Sequence, residues 1–226
     1  MLCGRILALI VLVSAFAFAA DDAKKPGTVN FVKGAVFLQD KLVHVDESDP
    51  PVIEVTQRLR SDKGNAEVFA TAGSFMRLAA NSEIELVATD GIAATVRLHR
   101  GSIIIDAFKI KKSSPLTVLV GDTETTIASK GEFRFDIAGD SSSALHVLKG
   151  KVMLAAAGSS QELKKKQVAE VTVAGVQVAK FKNFAEDPLT AWHEQRSETI
   201  GASVYTAPGY FGMGELPDAS QAGISR

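Results

Sequence analysis

The four histidines of the chain are the side chains best suited to bind a metal or to transfer protons near neutral pH, but they are scattered along the sequence. They are His44, His99, His146 and His193. Zinc sites use ligands that cluster at short spacings, and no two of these histidines have such a spacing. His146 alternates with Leu145 and Val147, which predicts a position on the solvent-exposed side of a strand. We therefore predict structural or surface roles for all four histidines and no metal site.

Three serines lie beside or near a glycine, as the nucleophile of a hydrolase often does: Ser74, Ser102 and Ser129. Such a nucleophile stands in a Gly-x-Ser-x-Gly turn between a strand and a helix, and the sequence contains no such pattern. Turn serines that bond their own backbone are the simpler interpretation of all three. The sequence therefore predicts no catalytic residue, no cofactor and no enzymatic activity.

Asp46, Glu47 and Asp49 form an acidic loop that ends at Pro50-Pro51. Carboxylates in one loop can bind calcium, but the spacing of these three matches no calcium-binding loop, and we expect a solvated loop. The only cysteine, Cys3, lies before the apolar run near the N-terminus. Cleavage after that run would remove the only thiol, which would exclude disulfides and thiolate chemistry.

Two clusters of lysines carry the remaining binding potential. The first holds Lys109, Lys111 and Lys112, and the second is Lys164–Lys166. They would form a docking patch for an anionic partner if the fold brought them together, and they are solubilising loops otherwise. The formal net charge is -1, and no aromatic residues are interleaved with the lysines. A nucleic-acid partner is therefore not expected.

The N-terminus has the organisation of a secretory signal peptide. Arg5 supplies a positive charge, Ile6–Phe18 is almost entirely apolar, and small residues surround a predicted cleavage between Ala19 and Ala20. The apolar run is short for a membrane-spanning helix, and a retained N-terminal membrane anchor is the alternative. We expect a periplasmic or secreted protein, with residues 1–19 as the signal peptide and residues 20–27 as a linker.

Residues 28–178 consist of short apolar alternations separated by turns, which is the pattern of an all-β domain. In the clearest alternation, Phe133, Phe135 and Ile137 share one face and charged residues share the other. The polar segment Gly139–Ser143 and a second apolar run follow, which predicts a hairpin with one apolar face. Arg100-Gly101 is interpreted as a turn between two strands. The predicted architecture is an antiparallel β-sandwich or jelly-roll-like domain, with Val52–Val55 among its extended segments.

The periodicity changes at Asp187-Pro188, because Asp at the N-cap and Pro at the first helical position are helix start signals. Leu189, Trp192 and Ile200 are predicted to share the face that packs on the sheet, with Arg196 interrupting that stripe. Residues 179–206 are therefore predicted to hold a linker and a short C-terminal helix. Residues 207–226 are rich in glycine and proline without periodicity, which predicts a disordered tail.

The order of the short motifs between Thr28 and Val178 resembles the FecR domain. Glycine and aliphatic turn signals carry this resemblance. In chain order they are Gly73, Ser74, Asn81, Ser82, Gly101, Gly131, Phe133, Val147, Gly150 and Val152. The resemblance implies an all-β periplasmic domain that recognises other proteins or envelope components.

The regulators that give this family its name receive a signal from an outer-membrane transporter and pass it to a cytoplasmic sigma factor. Here only Met1–Arg5 precede the apolar run, and direct contact with a sigma factor is not expected. We expect a non-enzymatic interaction module of signalling type in the bacterial cell envelope, with envelope proteins as partners. Its binding surface could be an exposed sheet edge that accepts a strand from a partner. A role in binding cell-wall glycan or peptidoglycan, or a structural role in the envelope, is the alternative.

Overall fold

The computed structural model describes residues 24–138 and 142–204, with side chains as far as residue 199. Within this part of the chain there are sixteen strands and one helix, α1 (Pro188–Val204). The strands are β1 (Thr28–Lys33), β2 (Val36–Leu38), β3 (Lys41–Leu42), β4 (Arg58–Ser61), β5 (Asn65–Thr71), β6 (Ser74–Leu78), β7 (Ser82–Thr89), β8 (Ala94–Ala107), β9 (Leu116–Val120), β10 (Thr123–Ile127), β11 (Gly131–Ile137), β12 (Ser143–Lys149), β13 (Lys151–Ala156), β14 (Ser159–Lys164), β15 (Gln167–Thr172) and β16 (Gly175–Lys180). The predicted all-β class with a short C-terminal helix is confirmed. The predicted signal peptide and tail lie outside the described residues.

The strands form two open sheets that share β8. Sheet 1 has the order β1-β5-β6-β8-β11-β12-β15-β16, and sheet 2 has the order β3-β2-β4-β7-β8-β9-β10-β13-β14. The first half of β8 pairs with β7 and β9 in sheet 2, and its second half pairs with β6 and β11 in sheet 1. A strand that passes from one sheet to the other in this way joins the two layers of a sandwich at a corner.

Gly101 marks the point at which β8 passes between the sheets. Its φ is +78°, and a Cβ at this position would lie only 2.7 Å from the carbonyl oxygen of Asn81. Glycine is therefore the residue that can bend the strand here without a clash. The prediction of a turn at Arg100-Gly101 is wrong, because the backbone bends and continues as one strand of 14 residues.

One strand pair departs from the antiparallel pattern. The first half of β8 runs parallel to β9, with Ala94 opposite Leu116 and Leu98 opposite Val120. A parallel pair needs a connection that returns to the starting end of the strand. Here the second half of β8 in sheet 1 and the segment 108–115 supply that return, and a long strand takes the place of a crossover helix.

The inward-facing side chains of the two sheets form one apolar core. Val120 and Leu154 of sheet 2 face Phe135 and Leu145 of sheet 1 across a narrow interior gap. Since both layers contribute to the same gap, the sheets lie face to face as a sandwich. The predicted hairpin is β11 and β12, with Phe133 and Val147 fully buried. Its predicted turn includes residues 139–141, which lie outside the described residues.

Helix α1 begins where the sequence predicts. The Asp187 carboxylate accepts a hydrogen bond of 2.8 Å from the Thr190 backbone N–H, which satisfies one of the free donors of the first turn. Leu189 is buried, as predicted, whereas the side chain of Ile200 lies outside the described residues. Across the described residues no helix combines the length and apolar character needed to span a bilayer. The prediction of an extended Val52–Val55 is wrong except at Val52, which makes a single bridge to Thr28.

Candidate functional site

Ser102, Asp136 and His146 come together on the outer face of sheet 1, but in an order that does not activate a nucleophile. The Ser102 hydroxyl donates a 2.6 Å hydrogen bond to Asp136 Oδ1, and His146 Nδ1 lies 3.5 Å from Asp136 Oδ2. In a hydrolase triad the imidazole stands next to the serine and takes its proton. Here the carboxylate stands between them, so this arrangement orders polar groups rather than preparing a catalytic base.

The turn-serine interpretation is correct for Ser74 and wrong for Ser102. The Ser74 hydroxyl accepts a 3.1 Å hydrogen bond from the Thr71 backbone N–H across the β5–β6 turn. Ser102 lies inside β8, because Gly101 is a bend and not a turn. The third serine, Ser129, donates to the Lys151 carbonyl over 3.1 Å and ties the β10–β11 link to the start of β13, so it does not bond its own turn.

The histidines lie apart from one another. His44 is exposed, and His99 Nε2 lies 2.7 Å from Glu85 on the outer face of sheet 2. The prediction of a solvent-exposed position for His146 is wrong, because the rings of Phe181 and Phe184 pack against it with centroids 5.6 Å and 4.9 Å away. Throughout residues 24–138 and 142–204, no three His, Cys, Asp or Glu side chains are grouped as a metal site requires.

In the acidic loop, the carboxylate of Asp46 is hydrogen-bonded by groups of the same loop. Asp46 Oδ1 accepts hydrogen bonds from the backbone N–H of Ser48 at 2.9 Å and from its hydroxyl at 2.7 Å. These bonds to the charged form hold the pKa of the Asp46 carboxyl below its usual value. The carboxylate therefore stabilises its own turn, as the interpretation of a solvated loop expects.

The residues that carry the family resemblance direct the chain path and fill the core. Gly73, Gly101 and Gly150 have positive φ, and Asn81 has a φ of +57°. The Ser82 hydroxyl accepts a 2.9 Å hydrogen bond from the Ser102 N–H and holds β7 against the bend in β8. The remaining members are buried in or beside the core: Ser74, Gly131, Phe133, Val147 and Val152. This placement explains why the resemblance predicts a fold rather than a reactive site.

The strongest concentration of charge lies on what we call the covered face, the outer face of sheet 1 beneath α1, which includes Glu67, Arg77, Asp106, Glu132, Arg134 and Asp136. At its centre Arg77 Nε donates to Glu67 Oε2 over 2.9 Å, with both side chains fully excluded from solvent. From α1, Arg196 donates to Glu67 Oε1 over 2.7 Å. Burial raises the pKa of the Glu67 carboxyl, but the bond from Arg196 and the charge of Arg77 outweigh burial and lower that pKa.

His193 and Ser197 of α1 extend the same network. Arg77 Nη1 lies 2.6 Å from His193 Nδ1 and 3.0 Å from the Ser197 hydroxyl, which in turn donates to Asp106 over 2.9 Å. An arginine only donates, so His193 Nδ1 is the acceptor and its Nε2 carries the hydrogen. That Nε2 lies 3.8 Å from Glu132. Burial raises the pKa of Glu132, but His193 and Lys149 outweigh burial and lower it to about 2.

A second cluster fixes the start of α1. Arg134 Nη2 lies 2.7 Å from Asp187, its Nε donates to Asp136 over 2.9 Å, and its guanidinium lies over the Phe184 ring at 4.9 Å. Burial raises the pKa of the Asp187 carboxyl, but the bonds from Arg134 and Thr190 outweigh burial and lower it to about 2. The contacts of His193, Arg196 and Ser197 and the pair of Arg134 with Asp187 join α1 or its lead-in segment to sheet 1, which indicates a structural attachment.

Sequence reasoning missed this attachment because alternating charges on a strand also fit a face open to water. The signal lay in α1 itself. His193, Arg196 and Ser197 follow Leu189 at the spacing of one helical face. The prediction that Arg196 interrupts the packed stripe is wrong. Arg196 belongs to the stripe, since its guanidinium lies 4.4 Å from the Phe31 ring centroid and donates to Glu67.

Among the described residues, strand β16 is a free edge of sheet 1. The Phe181 N–H donates to the Lys166 carbonyl over 3.1 Å, in register with the β15–β16 ladder. Hydrogen-bonded and non-hydrogen-bonded pairs alternate along an antiparallel ladder. The backbone groups of Gly175, Gln177 and Ala179 therefore point towards β15, as the N–H of Phe181 does. The backbone N–H and C=O groups of Val176, Val178 and Lys180 therefore point outward. Within the described residues no strand pairs with that side of β16.

The other sheet edges are capped or short. At β14 the outward N–H of Lys164 donates to the Gln167 side chain over 2.7 Å, and Glu162 lies between Lys151 and Lys164 at 2.8 Å and 3.5 Å. At β1 the segment 51–53 closes the edge, with Val29 N–H bonding the Pro51 carbonyl over 2.7 Å. Strand β3 has two residues. Such caps are how proteins prevent unwanted strand pairing, and β16 carries none of them along Val176–Val178.

The lysine cluster Lys164–Lys166 lies next to this edge. Lys165 and Lys166 form the link between β14 and β15, and Lys180 lies opposite Gln167 at the end of β16. The other predicted cluster, around Lys111, follows the end of β8, with β11, β12 and β15 between β8 and β16. The fold therefore joins Lys164–Lys166 to Lys180 and Lys182, and it separates them from the first cluster by three strands.

One family model matches the central part of the chain. The family model described as FecR protein matches residues 57–153, which run from just before β4 into β13. The match lies inside the range over which the sequence resembles this family and confirms that resemblance. No curated protein matches the chain.

Two solved structures are similar to part of this chain, and both are crystal structures of a candidate anti-sigma factor from Parabacteroides distasonis ATCC 8503. The first is 17% identical, with a TM-score of 0.49 over 60% of this chain and 64% of that chain. The second is 18% identical, with a TM-score of 0.48 over 63% of this chain and 70% of that chain. This chain thus spans less than two thirds of the first structure's length.

Proposed function

Because the chain carries a FecR domain over residues 57–153, we propose that it is an exported, non-enzymatic interaction module of signalling type in the bacterial cell envelope, and that it binds envelope proteins. The signal-peptide pattern of residues 1–19 supports export, and the interaction role fits the family. Its binding surface is the free edge of β16, which accepts an extended segment of the partner as an added strand.

The observation that carries this proposal is the outward row of backbone groups on β16. Val176, Val178 and Lys180 present N–H and C=O groups to solvent at two-residue spacing, which is the repeat that an added strand pairs with. Val178 is 39% exposed and Val176 is half-buried, so an incoming strand would find apolar side chains beside the backbone bonds. Backbone bonds supply affinity in this mode, and the flanking side chains supply selectivity.

Photo-crosslinking tests the proposal in the native envelope. A photoreactive amino acid in place of the exposed Gln177 should yield adducts with envelope proteins that mass spectrometry identifies. The same amino acid in place of Lys41, in the edge strand β3 of sheet 2, serves as the positional control. Val178→Pro should abolish the adducts at position 177, because proline removes the outward N–H while leaving every bond to β15 in place.

Val178→Thr is the matched control for the proline variant. Threonine keeps the branched shape and the backbone N–H, so its adducts should match those of the parent chain. Thermal melting of both variants checks that neither substitution unfolds the sandwich. Equal adducts from Val178→Pro and the parent chain, or recovery of cell-wall fragments alone, would refute binding at this edge.

The alternative predicted from the sequence, glycan binding, depends on aromatic rings that are open to sugars. Trp192 lies against Phe31 with ring centroids 6.4 Å apart, between α1 and sheet 1. Tyr205 and Tyr210 lie outside the described residues. The open edge therefore favours a protein segment as the ligand.

A further inference from the structure

We infer that the partner segment is acidic at the end that reaches Lys180, and this inference rests on the proposed binding at the edge of β16. Four exposed lysines, Lys165, Lys166, Lys180 and Lys182, surround that end of the strand. We call them the lysine end of β16. They come from two places in the sequence, the β14–β15 link and the end of β16, and the strand register brings them together.

The register places these lysines close to one another. Lys180 lies opposite Gln167 in the β15–β16 ladder, and the next position pairs the Phe181 N–H with the Lys166 carbonyl. Directly opposite residues in an antiparallel pair have Cα atoms roughly 4.5–5.5 Å apart. Lys165 and Lys182 extend the same two segments by one residue each. Four like charges therefore share a small area beside three outward backbone positions.

Two acidic side chains of the neighbouring strands are engaged with other lysines. Glu162 pairs with Lys151 and Lys164, and Glu132 pairs with Lys149. Among the described residues, no carboxylate lies within 4.0 Å of Lys165, Lys166, Lys180 or Lys182. Like charges held together without counter-charges repel, and an incoming carboxylate relieves that repulsion. A partner with carboxylates at this position would therefore supply the negative charge that the lysine end of β16 lacks.

The direction of the added partner strand follows from the strand pairing in sheet 1. The strand pairs within sheet 1 are antiparallel, so an added strand that continues this pattern runs opposite to β16. The lysine end is the C-terminal end of β16, and the N-terminal part of the added segment lies beside it. The segment we propose therefore has Asp or Glu residues first and alternating apolar residues after them, which pack beside Val178 and Val176.

Panning of a random decapeptide library on the purified protein tests this inference. Selected peptides should be enriched in Asp and Glu in their N-terminal halves, and Val178→Pro should abolish their binding. The affinity of a selected peptide, measured by fluorescence anisotropy, should fall at least tenfold on Lys165→Gln/Lys180→Gln/Lys182→Gln. It should also fall as salt is raised, because salt screens exposed charges.

A matched charge control is available at the opposite sheet edges. Lys33→Gln/Lys41→Gln/Lys63→Gln removes the same number of exposed lysines next to β1, β3 and β4, and the affinity should change less than twofold. Lys166 is left unchanged because its φ is +66°. Melting curves of the two triple variants confirm that both remain folded.

The outcomes separate this inference from the proposed function. Peptides that require the Val178 N–H but show no acidic preference would overturn the inference and leave edge binding intact. Peptides that bind Val178→Pro as well as the parent chain, or no selected peptide at all, would overturn both. Binding to vesicles with 30% anionic lipid that the lysine variant abolishes, without acidic enrichment in the peptides, would assign the lysines to a lipid surface instead.

Discussion

On the covered face of sheet 1, Arg77 and Glu67 form a 2.9 Å ion pair with both side chains fully excluded from solvent. On the outer face of sheet 2, Arg58 and Glu83 form a pair of nearly the same length, 3.0 Å, with the arginine side chain 51% exposed. We call this second surface the open face, and it includes Arg58, Glu83, Glu85 and His99. Both faces carry arginines and carboxylates on alternate strand positions, and α1 covers one of them.

This difference shows that the length of an ion pair does not set its importance. A pair in water gains little, typically about 0–1 kcal/mol, because solvent competes for both charges. A buried pair contributes little more as a unit, but removing one partner leaves an uncompensated charge and costs about 3–5 kcal/mol. The covered face is therefore the more sensitive of the two, and α1 creates that sensitivity.

The largest expected effect is that of Glu67→Gln. The substitution keeps the shape of the side chain but leaves Arg77 and Arg196 without the carboxylate that both of them bond. Asp106, 3.3 Å from Arg77, compensates only in part. We expect the free energy of unfolding to fall by about 3–5 kcal/mol in urea denaturation.

Glu85→Gln on the open face is the matched control for that substitution. It also removes one carboxylate that has two basic partners, here Arg58 at 3.6 Å and His99 at 2.7 Å. The loss should stay below about 1 kcal/mol, because water replaces the lost contacts. Equal losses for the two substitutions would show that α1 does not isolate the covered face from solvent.

A smaller effect is expected at the start of the helix, from Asp187→Ala. Asp187 caps α1 through Thr190 and binds Arg134, so the substitution weakens both the helix start and its attachment to sheet 1. Loss of an N-cap costs about 0.5–2 kcal/mol. Thermal unfolding should show a correspondingly lower melting temperature.

Asp187→Asn separates the two roles of this residue. Asparagine still caps a helix but carries no charge for Arg134. A loss close to that of alanine would assign the effect to the ion pair, and a loss near zero would assign it to the cap.

The contrast between the faces also explains what the sequence could predict. The period of two in β11 and β12 identified the buried Phe133 and Val147, since an apolar side chain in alternation has one favourable place, the core. The charged partners in that alternation were correctly placed on the opposite face. Their cover was not predicted, because a strand pattern records which face is polar and contains no information about what lies above it.

Gly101 and Arg196 show, at single residues, the same limit of what a local sequence pattern can predict. A glycine after Arg100 fits a turn as well as a bend, and the close approach of Asn81 that decides between them comes from a residue 20 positions earlier. Arg196 fits a solvent-exposed helix face until Glu67, 129 positions away, is known to lie beneath it. In both cases the deciding contact is long-range, so neither could be derived from a local pattern.

Acid provides a third test of the covered face. The pKa of the carboxyl groups of Glu132 and Asp187 is lowered to about 2, and those of Glu67 and Asp136 are also lowered. A lowered pKa means that the folded state binds protons less readily than the unfolded chain, whose carboxyl groups titrate near pH 4. The stability that these groups supply is complete above about pH 5 and is lost as the pH falls towards 2.

Glu132→Gln should therefore flatten the acid dependence. We expect the difference in unfolding free energy between the parent chain and this variant to be largest near neutral pH and to shrink between about pH 4.5 and 2. Urea denaturation at a series of pH values measures that difference. A difference that is constant over this range would show that Glu132 acts through packing and not through its charge.

The smallest expected effect is that of Arg58→Gln on the open face. Removing this arginine leaves Glu83 with Arg100 at 3.7 Å and Glu85 with His99 at 2.7 Å, so both carboxylates keep a partner and access to water. The change in unfolding free energy should be below about 1 kcal/mol, and raised salt should reduce it further. A loss of several kcal/mol in the purified protein would mean that the open face is shielded from water in solution, as the covered face is by α1. That result would direct the search for a second interaction surface to sheet 2.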